Sequence, residues 1–275
     1  MTRLGQNHKQ PERFELILLG TGTCVPDVNH GAPGFIVRND SQTVLLDGGS
    51  GTLHRMAAAG VDFRDLDAIC LSHFHPDHCA DLVPLLFATR YTPEFTRSKI
   101  LTIIGPAGLR KFWDKLANLY GDFIKKPTFP LRLIEAESNH IKLDRLTVFT
   151  APVQHSGKTI AFRLENADGC SLTYSGDTGY CQSLIALANQ TDLLLIECSF
   201  PDARRMDIHL TPTEVGRVAA TCNCQQVILI HLYPIFATEE AIEQVKRFYP
   251  GNVTAGRDFM TFQINKKSTA DELKQ

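Results

Sequence analysis

Ser72-His73-Phe74-His75-Pro76-Asp77-His78 places three imidazoles and a carboxylate within six positions, directly after the apolar run Leu66 to Leu71. A fold that carries this segment must end a strand there and turn its loop towards other donors. A loop turns alternate side chains to a common point, so His73 and His75 can share one ion while Asp77 and His78 face a second. Imidazole and carboxylate ligands suit zinc, with manganese or iron as alternatives. The chain has ten histidines in all, and three of them in this one segment make a chance histidine-rich surface loop a poor explanation.

Two metals need further ligands, and candidates lie where other apolar runs end. His155 follows Leu146 to Thr150, Asp177 follows Ser171 to Ser175, and His231 follows Val227-Ile228-Leu229-Ile230. Each alone is the kind of residue that is more often structural. Together they supply what the cluster lacks, since a carboxylate such as Asp177 bridges two cations and reduces their repulsion.

The pattern around these residues is strand-rich. Phe14 to Leu19, Gly34 to Arg38, Thr43 to Leu46, Leu66 to Leu71 and Ile100 to Ile104 read as strands, with helices at Thr52 to Ala59, Asp81 to Tyr91 and Ala107 to Tyr120. The last of these shows Leu109, Phe112, Trp113, Leu116 and Leu119 on one side. The second half is built in the same way, with strands at Leu146 to Thr150, Thr159 to Leu164, Ser171 to Ser175, Leu193 to Glu197 and Gln226 to Ile230, and helices at Thr211 to Cys222 and Thr238 to Phe248. Strands first, then mixed strand and helix, in each half, predicts a two-sheet sandwich with helices outside rather than an alternating parallel fold. One domain over residues 14–265 is expected, with tails at 1–13 and 266–275.

Composition excludes several classes. A formal net charge of −2 gives no global basic field for nucleic acid. No apolar run approaches the roughly 18 residues of a membrane span, and Met1 to Arg13 has no apolar signal core. The eight cysteines form no C-x-x-C pair and several lie in apolar runs, as expected of reduced thiols in a cytoplasmic protein. Gly20-Thr21-Gly22-Thr23 lacks the lysine and spacing of a phosphate loop and reads as a tight turn. The aromatics of Phe87 to Pro130 (Phe87, Tyr91, Phe95, Phe112, Trp113, Tyr120, Phe123, Phe129) are read mainly as packing a helix onto the sandwich rather than as a pocket wall.

From Gly20-Thr21-Gly22-Thr23 and Leu46-Asp47-Gly48-Gly49 through H-x-H-x-D-H to Asp258-Phe259-Met260, nearly the whole chain resembles the metallo-β-lactamase superfamily, and within it the ribonuclease Z-like branch. The resemblance implies an α+β fold, the αββα four-layer sandwich of two mixed sheets flanked by helices. It also implies a ligand set: His73, His75 and His155 for a first metal, Asp77, His78 and His231 for a second, and Asp177 bridging. Asp47 is then expected to orient a metal-bound histidine. Leu195-Ile196-Glu197 and His209-Leu210-Thr211-Pro212 fit the positions at which the branch pairs a strand-end Glu with a His that protonates the leaving oxygen. The alternative for His209 is a helix cap.

What this implies is a hydrolase with two divalent ions, Zn2+ first, that lower the pKa of a water. Asp77 would orient the nucleophile while binding metal, and His209, held by Glu197, would act as general acid on a phosphodiester. Ribonuclease Z itself carries a Gly/Pro-rich arm between the His155-type and Asp177-type motifs. Only Lys158 to Gly176 lies there, and Lys125-Lys126 and Arg204-Arg205 are isolated pairs rather than a phosphate track. A small-molecule or nucleotide ester is therefore the expected substrate, tRNA and membrane are not expected partners, and the family's habit implies a homodimer. Lactonase, arylsulfatase or thioester hydrolase activity on the same site, or a catalytically silent metal-dependent binding module, are the alternatives.

Overall fold

The structure is a computed structural model that describes residues 13–40 and 42–266; the expected tails lie outside them, save Arg13 and Lys266. Its first half runs β1 (Phe14–Gly20), β2 (Gly34–Asn39), β3 (Gln42–Gly48), α1 (Thr52–Ala58), β4 (Ala68–Cys70), α2 (Pro76–Cys79), α3 (Leu82–Tyr91), β5 (Leu101–Gly105), α4 (Leu109–Tyr120), α5 (Asp122–Lys125) and β6 (Leu131–Glu135). The second half runs β7 (His140–Leu143), β8 (Leu146–Pro152), β9 (Ile160–Glu165), β10 (Ser171–Tyr174), α6 (Gln182–Leu187), β11 (Leu193–Glu197), α7 (Pro212–Cys222), β12 (Gln226–Ile230), α8 (Thr238–Lys246), β13 (Asn252–Ala255) and β14 (Thr261–Gln263). Two seven-stranded sheets result, ordered β14-β1-β2-β3-β4-β5-β6 and β13-β12-β11-β10-β9-β8-β7. β3, β4, β5 and β6 pair in parallel, as do β10, β11, β12 and β13, while the remaining pairs of each sheet are antiparallel.

Period-two alternation explains why the central strands are apolar almost throughout: both of their faces are covered. In β1, Leu16 and Leu18 join the central core between the sheets, with Phe35, Phe162, Leu172, Tyr174 and Leu195. Ile17 and Leu19 point the other way and pack with Met56, Leu85, Leu109 and Trp113 beneath the first-half helices. On the far side Leu194, Ile196 and Leu229 meet Leu184, Val218 and Val245. Three cores between four layers make the α+β sandwich that the strand order foretells.

Several elements depart from the sequence-based reading. Pro76–Cys79, expected as loop, is a short helix that begins at its proline, whose missing N–H costs nothing at a first helical position. β6, β7, β13 and β14 were not foreseen: they are three to five residues long, and the half-exposed pattern of β6 carries little apolar signal. Leu119 does not share the buried side of α4; it is 74% exposed, because it sits at the edge of the apolar stripe in the last turn. β3, β4 and β5 end at one edge of the first sheet, and β10, β11 and β12 end at one edge of the second, so the loops that follow them meet there.

Candidate metal centre

The loop after β4 carries His73 and His75, and α2 carries Asp77 and His78. The loop after β8 brings His155, and those after β10 and β12 bring Asp177 and His231. The structure gathers all seven residues. Donor atoms of His73, His75, His155 and Asp177 lie within 4.8 Å of one another, as do those of Asp77, His78 and His231. Asp177 lies between the two groups. Its Oδ1 is 3.3 Å from His78 Nε2, and its Oδ2 is 3.6 Å from His231 Nε2 and 4.0 Å from the Nε2 atoms of His73 and His155. Asp77 Oδ2 is 3.7 Å from both His78 Nε2 and His231 Nε2.

Four of the imidazoles have Nδ1 engaged, which leaves Nε2 for the centre. His78 Nδ1 meets Asp47 Oδ2 at 2.7 Å, His155 Nδ1 the Ile208 carbonyl at 3.0 Å, His231 Nδ1 Ser199 Oγ at 2.9 Å and His73 Nδ1 Ser72 Oγ at 3.0 Å. His75 is turned the other way: Ser156 Oγ is 3.1 Å from its Nε2, and its Nδ1 faces His155 Nε2 at 3.4 Å. Nitrogens held by such outer partners are fixed in tautomer and orientation. Among the described residues, the buried Nε2 atoms of His73, His78 and His231 and Oδ1 of Asp177 have no hydrogen-bond partner. Each such atom costs about 1–3 kcal/mol if left so. Unpartnered imidazole nitrogens and a carboxylate oxygen converging on one space are the donor set of a divalent cation, so the residues fit the metal that the sequence implies.

The electrostatics agree. Burial opposes the charge on Asp177, yet the charges of His231 and His78 hold its carboxyl well below the usual carboxylate range. Burial, then the charge of His78, holds His73 well below the usual histidine range, and burial lowers His155. His78 is raised despite its burial, because Asp177 and Asp47 face it from both sides.

Asp47 is fully buried and does more than close a turn. It accepts the Ser72 backbone N–H at 2.7 Å, the Ser72 hydroxyl at 2.6 Å, the Tyr174 hydroxyl at 2.6 Å and His78 Nδ1–H. Asp47 and His231 both have positive φ, at 53° and 56°, a cost that non-glycine residues bear chiefly where a site dictates the backbone. The His231 N–H is anchored on the Thr21 carbonyl at 2.9 Å, so the Gly20–Thr23 turn braces a candidate ligand. Gly49 is needed because a Cβ there would lie 1.9 Å from the Asp77 carbonyl oxygen.

Glu197, at the end of β11, is fully buried and holds His209 Nδ1 at 2.9 Å. The same carboxylate accepts the Thr178 and Leu210 N–H groups and the Ser199 hydroxyl. Burial disfavours the charge on His209, but the hydrogen bond and charge of Glu197 outweigh it and raise its pKa. His209 is not the cap of α7: that place belongs to Thr211, which forms a reciprocal capping box with Glu214. A donor atom of His209 also groups with Asp177 and His231 within 4.8 Å, so its ring reaches the centre itself.

Ser72, Tyr174 and Ser199 were missed as positioning residues by sequence reasoning. A signal was there for Ser72 alone, a polar residue just past the end of an apolar strand and next to His73. Of the aromatics in Phe87 to Pro130, Trp113, Phe123 and Phe129 belong to the helix-side core, while Phe87 and Tyr91 are half exposed. The aromatic wall beside the centre comes from elsewhere. Phe200 and Tyr233 stack at 4.7 Å and 18°, with His209 5.5 Å from Phe200 and His231 5.8 Å from Tyr233. A cavity of about 640 Å³ opens against Asp77 under the loop that holds Cys24, Pro26 and His30.

The family model for the beta-lactamase superfamily domain matches residues 42–232. A ribonuclease Z of Mycobacterium bovis is 30% identical over 282 residues, covering 92% of this chain and 99% of its own. An uncharacterised Mycobacterium bovis protein is 30% identical over 262 residues, covering 91% and 92%. In structure, the metallo-β-lactamase fold protein YhfI of Bacillus subtilis superposes with a TM-score of 0.80 at 22% identity, over 92% of this chain and 100% of its own. The short form of human tRNase Z does so with 0.70 at 22%, over 92% and 100%.

Proposed function

The chain belongs to the metallo-β-lactamase superfamily, in its ribonuclease Z-like branch, and from that premise we propose that this hydrolase cleaves phosphodiesters with two divalent ions, Zn2+ first. His73, His75 and His155 would hold one ion, Asp77, His78 and His231 the other, and Asp177 both. Bound there, the ions supply a water acidified towards neutral pH and a counter-charge for the phosphate. The rest falls to the chain. Asp77 and Asp177 fix the acceptor side of the site, and Phe200 with Tyr233 offers an apolar wall to the group that leaves or stays. His209 gives a proton from Nε2 to the departing oxygen while Glu197 holds its Nδ1.

The observation that carries the phosphodiester reading is the Glu197–His209 pair beside the seven donors. A leaving alkoxide needs a proton, and a histidine kept protonated by a buried carboxylate gives one. The segment between His155 and Asp177 holds only β9, β10 and their turn. That favours a small diester, a nucleotide ester among them, over tRNA, whose grip by the branch depends on an arm there.

The test is turnover by the metal-loaded protein on a panel of an aryl phosphodiester, a lactone, an aryl sulfate and a thioester. The expected result is a kcat/KM highest for the phosphodiester. A higher value for any other member would overturn the reading, and inactivity on all of them would turn it to a binding role.

A further inference from the structure

Three lysines from separate parts of the chain come together beside the loop that carries His73 and His75. Lys111 and Lys115 lie on α4, and Lys158 on the loop that carries His155. With Phe74, Gly108 and Phe112 they line a cavity of about 320 Å³ that contains no acidic side chain. The fold dictates this meeting. β4 and β5 are parallel neighbours, so the His73–His78 loop and the turn into α4 leave the sheet at the same edge. Phe74 alternates with His73 and His75: the histidines face the centre and the phenylalanine turns away from it. Its ring stacks on Phe112 at 4.5 Å and 14°, which ties the metal-side loop to the lysine-bearing helix. Ser156 Oγ, two residues before Lys158, is 3.1 Å from His75 Nε2, so Lys158 is tied to the same loop.

Among the described residues none of the three lysines makes an ion pair. Glu135 is close by but is spent on the backbone N–H groups of Gly108 and Arg110. Lys111 and Lys115 stand one helical turn apart, a like-charge spacing that weakens a helix unless an anion compensates it. Lys158 adds a third cation from another element. Flexible ammonium groups over a fixed aromatic floor suit a phosphate, which accepts point charges from several directions.

We infer that this pocket is a subsite for a second phosphate of the substrate, so that the preferred diester carries a phosphomonoester beside its scissile group. The inference rests on the phosphodiesterase reading for its catalytic consequence, but the subsite can be read by binding alone. Such a substrate is a nucleotide with phosphates at two positions, or the phosphorylated end of a short oligonucleotide. A diester with a single phosphate leaves the lysines without a partner.

The experiment compares two esters on the metal-loaded protein: the p-nitrophenyl ester of thymidine 5′-phosphate, and the same ester with a 3′-phosphate. KM is expected to be at least about tenfold lower for the doubly phosphorylated ester at low salt, with the advantage shrinking as salt screens the lysines. The triple variant Lys111→Gln, Lys115→Gln, Lys158→Gln should erase the difference and leave metal content and kcat on the simple ester unchanged. Equal KM values in the parent, or a difference that survives in the variant, would overturn the inference. If neither ester is turned over, the phosphodiesterase reading fails instead. Calorimetry with thymidine 3′,5′-bisphosphate against thymidine 5′-monophosphate then decides: tighter binding of the bisphosphate, lost in the triple variant, upholds the subsite, and equal binding overturns it.

Discussion

Replacing Asp47 by Asn tests whether the residues behind the candidate metal ligands set their chemistry. The carboxylate only accepts, so His78 must donate from Nδ1 and present an unprotonated Nε2 to the centre. Asn offers two placements. With its NH2 in the Oδ2 position it faces Tyr174 Oη, Ser72 Oγ and His78 Nδ1, at 2.6, 2.6 and 2.7 Å. The hydroxyls can rotate to accept, but His78 can accept only by moving its proton to Nε2, where it blocks the metal. With the amide reversed, NH2 confronts the Ser72 N–H, now at 2.7 Å from Oδ1, and two opposed donors cost about 1–3 kcal/mol. Loss of such an outer partner typically lowers metal affinity about 10–100-fold, or roughly 1.4–2.7 kcal/mol. Competition with a chromophoric chelator should show one of two zinc ions weakened by that factor. The control Tyr174→Phe removes one donor to the same oxygen and leaves the tautomer alone, so it should cost about 1 kcal/mol of stability and spare metal affinity. Loss of stability without loss of affinity in the Asn variant would assign the reversed amide. An Asn variant with parental affinity for both ions and a parental melting temperature would show that Asp47 does not govern the His78 tautomer.

His209→Ala should lower kcat on an aryl phosphodiester by about 10²–10⁴-fold, the usual worth of a general acid, with two metals still bound; metal loss would make His209 a ligand, as its place beside Asp177 and His231 allows. Because Glu197 raises the His209 pKa, the protonated form persists to higher pH, and activity should fall as pH rises through that pKa; Glu197→Gln should move this alkaline limb to lower pH in a pH–rate profile. Burial pushes the Cys79 thiol up to about 12 and raises those of Cys70 and Cys198 as well, whereas Cys24 is exposed. A thiol reagent on native protein should therefore label Cys24 first, and Cys24→Ser should remove the fast phase. Leu195→Ala, in the core between the sheets, should cost about 2–5 kcal/mol in denaturant unfolding.

The candidate donors were legible because most are polar residues where an apolar run stops, and strand ends are where a sheet presents side chains to a common edge. The strands with two covered faces were legible for the same reason, and Leu193–Glu197 and Gln226–Ile230 were placed to the residue. Pairings across the chain were not. Nothing local to Tyr174 says that its hydroxyl reaches Asp47, nor to Ser199 that it links His231 to Glu197. The aromatics after His78 read mainly as packing a helix onto the sandwich, and Trp113, Phe123 and Phe129 do pack the helix-side core. Phe200 and Tyr233 are isolated in sequence and meet only because β11 and β12 are parallel neighbours. The lysine pocket escaped for a similar reason: charge runs are visible along a chain, and convergence of single lysines from separate elements is not.

Whether seven side chains hold two ions, and whether those ions drive hydrolysis, can be decided on one sample. Metal content per chain is read by plasma emission spectrometry, and the same protein is assayed for bis(p-nitrophenyl) phosphate hydrolysis before and after chelation. About two metals per chain, with turnover lost on chelation and restored by added zinc, is the expected outcome. Protein never exposed to chelator that carries no metal, and gains neither metal nor activity from zinc or manganese, would disprove it.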